Sequence, residues 1–162
     1  MNVSRKTAKL FLEGDAAAFE DIYVSYRKLI YFIISNYFES KEDCDDVYQS
    51  IFTKLYERRK ECKSPDGLHY YLISIAKSEA INFSKKGFSQ PLDCEEVSSE
   101  DKKPFNYFLP CGLEEKERVV VGYRLGFSLA WKDIVEVTGI PISTAKFIYS
   151  RALQKIKKEY EK

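Results

Sequence analysis

Apolar side chains recur at spacings of three and four residues along almost the entire chain, and no stretch shows the strict alternation of a β-strand. A break at Gly14-Asp15 precedes the longest of these stripes, which is typical of one long amphipathic helix. The members of this stripe are Phe19, Ile22, Tyr23, Tyr26, Leu29, Ile30, Ile33 and Tyr37. The periodicity predicts an all-α protein.

Two further apolar stripes follow in the first half of the chain. Ser40 stands directly before an acidic turn, a pattern typical of a helix N-cap, and the stripe behind it runs from Cys44 to Tyr56. The sequence Ser-Pro-Asp-Gly then interrupts the periodicity, and a third stripe begins at Leu68. The first half therefore predicts at least three amphipathic helices.

Residues 89–112 show no helical periodicity and are rich in Ser, Asp, Glu, Lys and Pro. The prolines in this stretch prevent a continuous helix. We therefore expect an irregular linker that joins a domain at residues 1–88 to a second domain at residues 113–162. The linker is acidic and the second domain is mildly basic, although the net charge of the whole chain is only +1.

Little in the sequence could support enzymatic chemistry. His69 is the one histidine, and there is no glycine-rich phosphate loop. The four cysteines include no closely spaced pair of the kind that binds zinc. We therefore expect no catalytic residue, no cofactor and no metal site. The longest strongly apolar stretch, Leu29 to Ile34, is too short to cross a bilayer, so we expect a cytoplasmic protein.

The second domain contains the sharpest local signal. The apolar residues Leu113, Val120, Val121 and Leu125 indicate a first helix. Trp131–Thr138 then predicts a short helix, Gly139-Ile140-Pro141 a tight turn, and a final helix starts at about Ser143, which together form a helix-turn-helix. The inward face of the final helix would be Ala145, Tyr149, Ala152 and Ile156, and its outward face Lys146, Phe147, Ser150 and Arg151. Helix-turn-helix folds also bind proteins, but the basic outward face favours DNA.

Four segments carry motifs in a distinctive order. Asp46–Phe52 fits D-x-x-Q-x-x-F, and Gly139–Ala152 fits G-I-x-x-x-T-x-K-x-x-x-x-R-A. Ala18–Tyr23 is similar to A-F-E-x-L-Y, with Ile22 at the Leu position, and Tyr71–Ser78 is similar to Y-L-x-x-I-A-x-N, with Ser78 at the Asn position. In this order and spacing they resemble the extracytoplasmic-function group of bacterial RNA polymerase sigma factors, within the sigma-70 family. The resemblance covers nearly all of the chain and implies a transcription initiation factor.

The resemblance also implies roles for individual residues and a set of partners. Residues expected to bind core RNA polymerase are Asp45, Asp46, Gln49 and Lys54. Residues expected to bind the opened minus-ten promoter element are Lys77, Ser78, Asn82, Lys85 and Lys86. Residues expected to bind the minus-thirty-five element as duplex DNA are Ser143, Thr144, Lys146, Phe147, Ser150 and Arg151. The implied partners are core polymerase, promoter DNA and an anti-sigma factor.

The chain departs from the family pattern at several positions. Ser78 stands where the family usually has Asn, and Asn82 where it usually has Asp. Ile148 and Leu153 occupy positions that are commonly Arg, which removes possible phosphate contacts. An exposed Ile148 would suit a protein contact. These departures leave two alternatives open, a sigma-like adaptor without promoter recognition and a stand-alone helix-turn-helix regulator.

Overall fold

The computed structural model describes residues 3–86 and 112–160, and every regular element within these ranges is a helix. The described α-helices are α1 (Arg5–Glu13), α2 (Ala16–Ile34), α3 (Lys41–Glu57), α4 (Leu68–Lys85), α5 (Glu115–Val121), α6 (Trp131–Thr138) and α7 (Ile142–Tyr160). The all-α prediction is therefore confirmed. None of the described helices has the length and apolar character needed to span a membrane.

The chain divides into two compact units, with the division after Lys102. Unit 1 contains α1–α4 and unit 2 contains α5–α7. The predicted linker at residues 89–112 lies outside the described residues, apart from Gly112. The exact boundaries of the two domains at 1–88 and 113–162 therefore stay predictions.

The helix ends of unit 1 follow from local chemistry. Gly14 ends α1 in the left-handed conformation, with φ of 99°. The Asp15 carboxylate then caps α2 by accepting a 2.7 Å hydrogen bond from the Ala18 backbone N–H. Ser40 caps α3 in the same way, accepting from the backbone N–H of Asp43 at 3.2 Å. The predicted break and the predicted N-cap are both confirmed.

The core of unit 1 lies where α2, α3 and α4 pack together. Tyr48 on α3 is buried, donates a 2.8 Å hydrogen bond to the Tyr23 carbonyl and packs against the rings of Tyr23 and Phe52. Tyr56, at the end of the α3 stripe, is 40% exposed instead of inward. Its ring packs edge-on against Phe19 and under the guanidinium of Arg59, because it lies at the last turn of α3. These contacts fix α3 against α2.

Unit 2 contains the predicted helix-turn-helix. Gly139 ends α6 with φ of 73°, a left-handed conformation that favours glycine and lets the chain turn into α7. The core of unit 2 combines buried or partly buried residues of α5 and α7 with one residue of the segment that leads into α5. These residues are Leu113, Val121, Tyr149, Ala152 and Ile156. This places the predicted inward residues of α7 against the body of the unit.

One apolar residue of the predicted first helix of unit 2 faces solvent. Leu125 continues the stripe of Val120 and Val121 in sequence, but it is 56% exposed. After α5 the helix widens into a π-helical turn at Gly122–Gly126, where the Phe127 N–H bonds to the Gly122 carbonyl five residues back. A π turn changes the angular spacing of side chains, so Leu125 rotates away from the core.

Candidate interaction surfaces

Three residues predicted to bind polymerase form one polar face on α3. Asp46 and Gln49 are exposed and lie one helical turn apart. Asp45 is half-buried, and its carboxylate accepts a hydrogen bond from the Tyr31 hydroxyl on α2. Burial and this hydrogen bond raise the pKa of Tyr31 to about 12, so the phenol stays a donor at neutral pH. The face therefore combines one oriented carboxylate with two exposed polar groups.

Lys54, the fourth residue predicted to bind polymerase, is engaged within unit 1. Its ammonium Nζ lies 2.5 Å from Oε1 of Glu79 on α4. Glu79 is only 3% exposed, and its Oε2 also accepts a 2.9 Å hydrogen bond from the Ser50 hydroxyl. The Lys54 side chain remains 42% exposed. Lys54 thus neutralises a buried carboxylate while its outer surface still faces solvent.

Glu79 contacts residues of two predicted binding surfaces, Lys54 and Asn82, and the sequence did not single it out. Burial alone would raise its pKa, but hydrogen bonds from Lys54, Ser50 and Asn82 and the charge of Lys54 together lower it. The side chain is therefore a buried anion that ties α3 to α4. A signal was available, because Glu79 falls three residues after Ala76 on the inward apolar stripe of α4, where a charged side chain requires a partner.

Four of the five residues predicted to bind the minus-ten element lie on one exposed face of α4 and its C-terminal end. These residues are Ser78, Asn82, Lys85 and Lys86. Lys77, the fifth, is half-buried beside them. The ammonium of Lys86 lies 5.7 Å from the centre of the Phe83 ring. The two terminal lysines follow the favourable placement of cations at a helix C-terminus and give this face a positive end.

In unit 2, α7 exposes the predicted DNA-binding residues of its N-terminal half, which are Ser143, Thr144, Lys146, Phe147 and Ser150. Phe147 is 67% exposed. The Lys146 ammonium lies 6.0 Å from the centre of the Trp131 ring on α6. The expectation of an exposed Ile148 was wrong, because Ile148 is half-buried beside the inward Tyr149, whereas Leu153 is 36% exposed.

Arg151, also predicted to bind DNA, is ion-paired with α5 and with the residue that precedes it. Its Nε lies 2.9 Å from Glu117 Oε1, and its guanidinium also pairs with Glu114. Lys155, one turn further along α7, places its ammonium 2.7 Å from Glu117 Oε2. Two cations of α7 therefore converge on Glu117.

Glu117 is buried, with a side chain only 3% exposed. Burial would raise its pKa, but the Lys155 ammonium, the backbone N–H of Glu114 and the nearby charges outweigh that effect and lower it. The Glu114 N–H donates to Glu117 Oε2 at 2.9 Å, so the same carboxylate also caps α5. The cluster of Glu114, Glu117, Arg151 and Lys155 is therefore a structural link between α5 and α7.

His69 occupies a packing position in unit 1. Its Nδ1 lies 3.3 Å from the Tyr26 hydroxyl, and its ring contacts the rings of Tyr26 and Tyr70. Among the residues that the structure describes, no group of His, Cys, Asp and Glu side chains is arranged to hold a metal ion.

Comparison with known proteins bears directly on unit 1. Residues 22–87 match the family model of sigma-70 region 2, a range that includes most of α2 and all of α3 and α4. A solved structure described as CnrH in complex with the cytosolic domain of CnrY has a similar fold. The TM-score is 0.60 at 14% sequence identity, and the match covers 97% of this chain and 96% of that chain. No curated protein sequence matches the chain.

Proposed function

We propose that this chain, which matches the sigma-70 region 2 family model over residues 22–87, is a sigma factor that binds core RNA polymerase, directs it to specific promoters and melts the minus-ten element. The observation that carries the proposal is the region 2 match, because it spans the two helices that display the polar faces of unit 1. The chain would supply binding energy and positioning, while the polymerase performs the chemistry.

The polymerase-binding face would be the exposed polar surface of α3. Asp46 and Gln49 present a carboxylate and an amide to solvent, and Tyr31 orients the Asp45 carboxylate beside them. Oriented polar groups of this kind give an interface specificity, since each carboxylate must find a donor on the partner and the Gln49 amide a matching donor or acceptor. Packing of α3 against α2 and α4 holds this face on a rigid element.

The minus-ten surface would be the exposed face of α4. Proteins that bind single-stranded DNA combine cations that follow the backbone with groups that hold unstacked bases. Lys85 and Lys86 supply the cations, and Asn82 and Ser78 supply hydrogen-bonding groups about one and two turns before them on the same face. Binding of bases that have left the stack would stabilise the opened strand and so favour melting.

The upstream element would be bound by α7, which is the second helix of the helix-turn-helix. Such helices enter the major groove with their N-terminal residues closest to the bases. The exposed residues Ser143, Lys146, Phe147 and Ser150 all lie in the N-terminal half of α7. This arrangement supports duplex recognition at the minus-thirty-five element.

We also propose an anti-sigma protein as a partner. The similar CnrH chain was solved together with the cytosolic domain of CnrY. By analogy, a protein that covers the α4 or α7 surface of this chain would keep it from promoter DNA. Such a partner would act by occlusion, because the same exposed side chains cannot bind DNA and protein at once.

The test is run-off transcription from a library of promoter fragments, with purified core polymerase in the presence or absence of the full chain. Defined start sites that depend on the chain would support the proposal. Binding to core without any start site would favour the adaptor alternative. Absence of core binding would contradict the proposal and favour a stand-alone DNA-binding regulator.

A variant test addresses the polymerase-binding face. The double substitution Asp46→Ala and Gln49→Ala removes two exposed groups of α3. We therefore expect core binding to weaken at least tenfold, which corresponds to a loss of about 1.4 kcal/mol of binding free energy. The charge-matched control is Asp21→Ala, which removes an exposed carboxylate from α2. Equal core affinity for the double variant and the control would remove this face from the interface.

A further inference from the structure

We propose that α7 recognises a thymine of the upstream promoter element through the exposed ring of Phe147. The inference rests on the proposed function, and it names the chemical feature of the duplex that unit 2 would select. The supporting observations are the exposure of Phe147, the small side chains around it and the ion pairs that hold the neighbouring Arg151.

Phe147 is an unusual side chain for a solvated helix surface. Phe147 is 67% exposed, well above the other exposed apolar residues of α7, Ile142 at 39% and Leu153 at 36%, whereas Ala145 and Ala152 are fully buried. Burial of apolar surface favours association, so an exposed phenyl ring at the centre of a binding face contributes most when the partner offers an apolar group.

The side chains that surround Phe147 on the helix surface are short and polar. Ser143 and Thr144 lie one turn before it, and Ser150 lies one turn after it, and all three are exposed. Short hydroxyl side chains neither cover the ring nor keep a partner at a distance. They also donate to base edges or phosphates, so the ring would be the projecting apolar feature of a hydrogen-bonding face.

One of the two cations next to this face is already ion-paired within unit 2. Arg151 lies one turn after Phe147, but its guanidinium is paired with Glu114 and Glu117. Arginine reads guanine through two parallel hydrogen bonds, which would require these ion pairs to be given up. Lys146 lies over the Trp131 ring. The face is therefore better suited to an apolar contact than to guanine recognition by Arg151.

In the major groove, the thymine C5-methyl group is the apolar feature that a base pair presents. A phenyl ring in contact with that methyl group would exclude water from both surfaces. Cytosine lacks the methyl group and presents a hydrogen-bond donor instead, so it would leave the ring against a polar partner. The expected preference is thus for thymine at the position that Phe147 contacts.

The experiment uses the full chain bound to core polymerase and a promoter selected by this holoenzyme from the library. Each thymine of the upstream element is replaced in turn by deoxyuridine, which removes the C5-methyl group and retains every hydrogen-bonding group. We expect roughly fourfold weaker binding at one or two of these positions, which corresponds to the free energy of burying about one methyl-sized group. The Phe147→Ala holoenzyme should lose this sensitivity at the same positions.

The matched control is Leu153→Ala, which removes another exposed apolar side chain from α7. It should retain the full response to deoxyuridine. The inference is overturned if no substitution weakens binding, if the selected upstream elements lack thymine, or if Phe147→Ala keeps the same response. A Phe147→Ala chain that loses only its affinity for a protein partner would likewise overturn it and assign the ring to protein docking.

Promoter selection from the library, the first step of the experiment, distinguishes failure of the proposed function from failure of the inference about Phe147. If the holoenzyme selects no promoter at all, the initiation role is wrong, and the thymine inference is rejected with it. If promoters are selected but binding ignores the methyl group, only the inference about Phe147 is rejected.

Discussion

The Lys54 ammonium on α3 is ion-paired with the buried Glu79 carboxylate on α4, with Nζ and Oε1 2.5 Å apart. Lys54 stands on the helix that carries the proposed polymerase-binding face. Glu79 stands on the helix that carries the proposed minus-ten face, and it is also hydrogen-bonded to Asn82 on that face. The pair therefore fixes the two proposed surfaces of unit 1 relative to each other.

Loss of Lys54 should destabilise unit 1. Lys54→Met leaves the buried Glu79 carboxylate without its cation, and we expect the free energy of unfolding to fall by about 1–2 kcal/mol. The effect is modest because solvent screens the ion pair, since the Lys54 side chain is 42% exposed. Urea denaturation followed by circular dichroism measures it.

Two further variants make this prediction specific. Lys54→Met combined with Glu79→Gln should recover part of the lost stability, since no unpaired charge is then buried. Lys28→Met, which removes an exposed lysine from α2, should leave stability unchanged. Equal unfolding free energies for Lys54→Met and Lys28→Met would show that the ion pair contributes nothing.

Glu79 and Glu117 should make stability sensitive to acid. The pKa of each is lowered from the ordinary value of 4.5 in the folded chain. Their ionised forms therefore stabilise the fold fully above that value, and this contribution is lost as pH falls through the lowered pKa. Glu117→Gln should be less stable than the wild type at neutral pH, and the difference should shrink below about pH 4.5.

Urea denaturation of the wild type and Glu117→Gln at a series of pH values tests this prediction. Glu115→Gln serves as the control, because Glu115 is an exposed carboxylate on the same helix. A difference between wild type and Glu117→Gln that stays constant down to about pH 3 would contradict the assignment of a lowered pKa.

Substitutions of Lys146 and Arg151 should affect different properties of the chain, DNA affinity for Lys146 and stability for Arg151. Lys146→Ala removes an exposed cation, so the holoenzyme should bind upstream duplex DNA more weakly. The slope of the logarithm of the binding constant against the logarithm of salt concentration should become shallower by about one. Unfolding of the chain should change little. Arg151→Ala should instead lower the unfolding free energy, because it removes a cation from the buried Glu117.

The measurements are duplex binding over a range of salt concentrations and urea denaturation of each variant. A Lys146→Ala chain that binds duplex DNA as the wild type does would remove Lys146 from the interface. An Arg151→Ala chain of unchanged stability would show that its ion pairs with α5 are incidental.

Gly139 should be required for the turn between α6 and α7. Its φ is 73°, and a Cβ atom there would meet no other atom within 4 Å, so the cost of Gly139→Ala comes from backbone conformation alone. We expect the unfolding free energy to fall by about 1 kcal/mol. Gly139→Asn should cost less, because asparagine tolerates the left-handed conformation better. Thermal or urea unfolding distinguishes the two, and equal stabilities for alanine and asparagine would contradict this cause.

Much of the fold could be predicted from the sequence because helix formation is signalled locally. The Ser40 cap, the break at Gly14-Asp15 and the α6 segment Trp131–Thr138 all agree with the structure, since each depends on residues within a few positions. Leu125 was the exception, because a π-helical turn shifts the register in a way that 3.6-residue periodicity does not include.

The interaction faces also follow partly from the sequence. Once a helix and its inward stripe are known, the opposite residues are expected to be exposed, as Asp46, Gln49 and Phe147 are. Their binding roles stay predictions, since exposure alone does not choose a partner.

Only the tertiary structure decided which charged residues are engaged within the chain. Lys54 and Glu79 are 25 positions apart, and Arg151 and Glu114 are 37 positions apart. Helical periodicity assigns a side chain to a face of its own helix, but it carries no information about which residue of another helix that face will meet. Ion pairing between helices depends on how they pack, and burial of Glu79 and Glu117 then makes a partner necessary because an unpaired charge in the interior is costly. The sequence by itself determined the helices and their exposed faces, whereas packing decided that Lys54 and Arg151 hold the fold together.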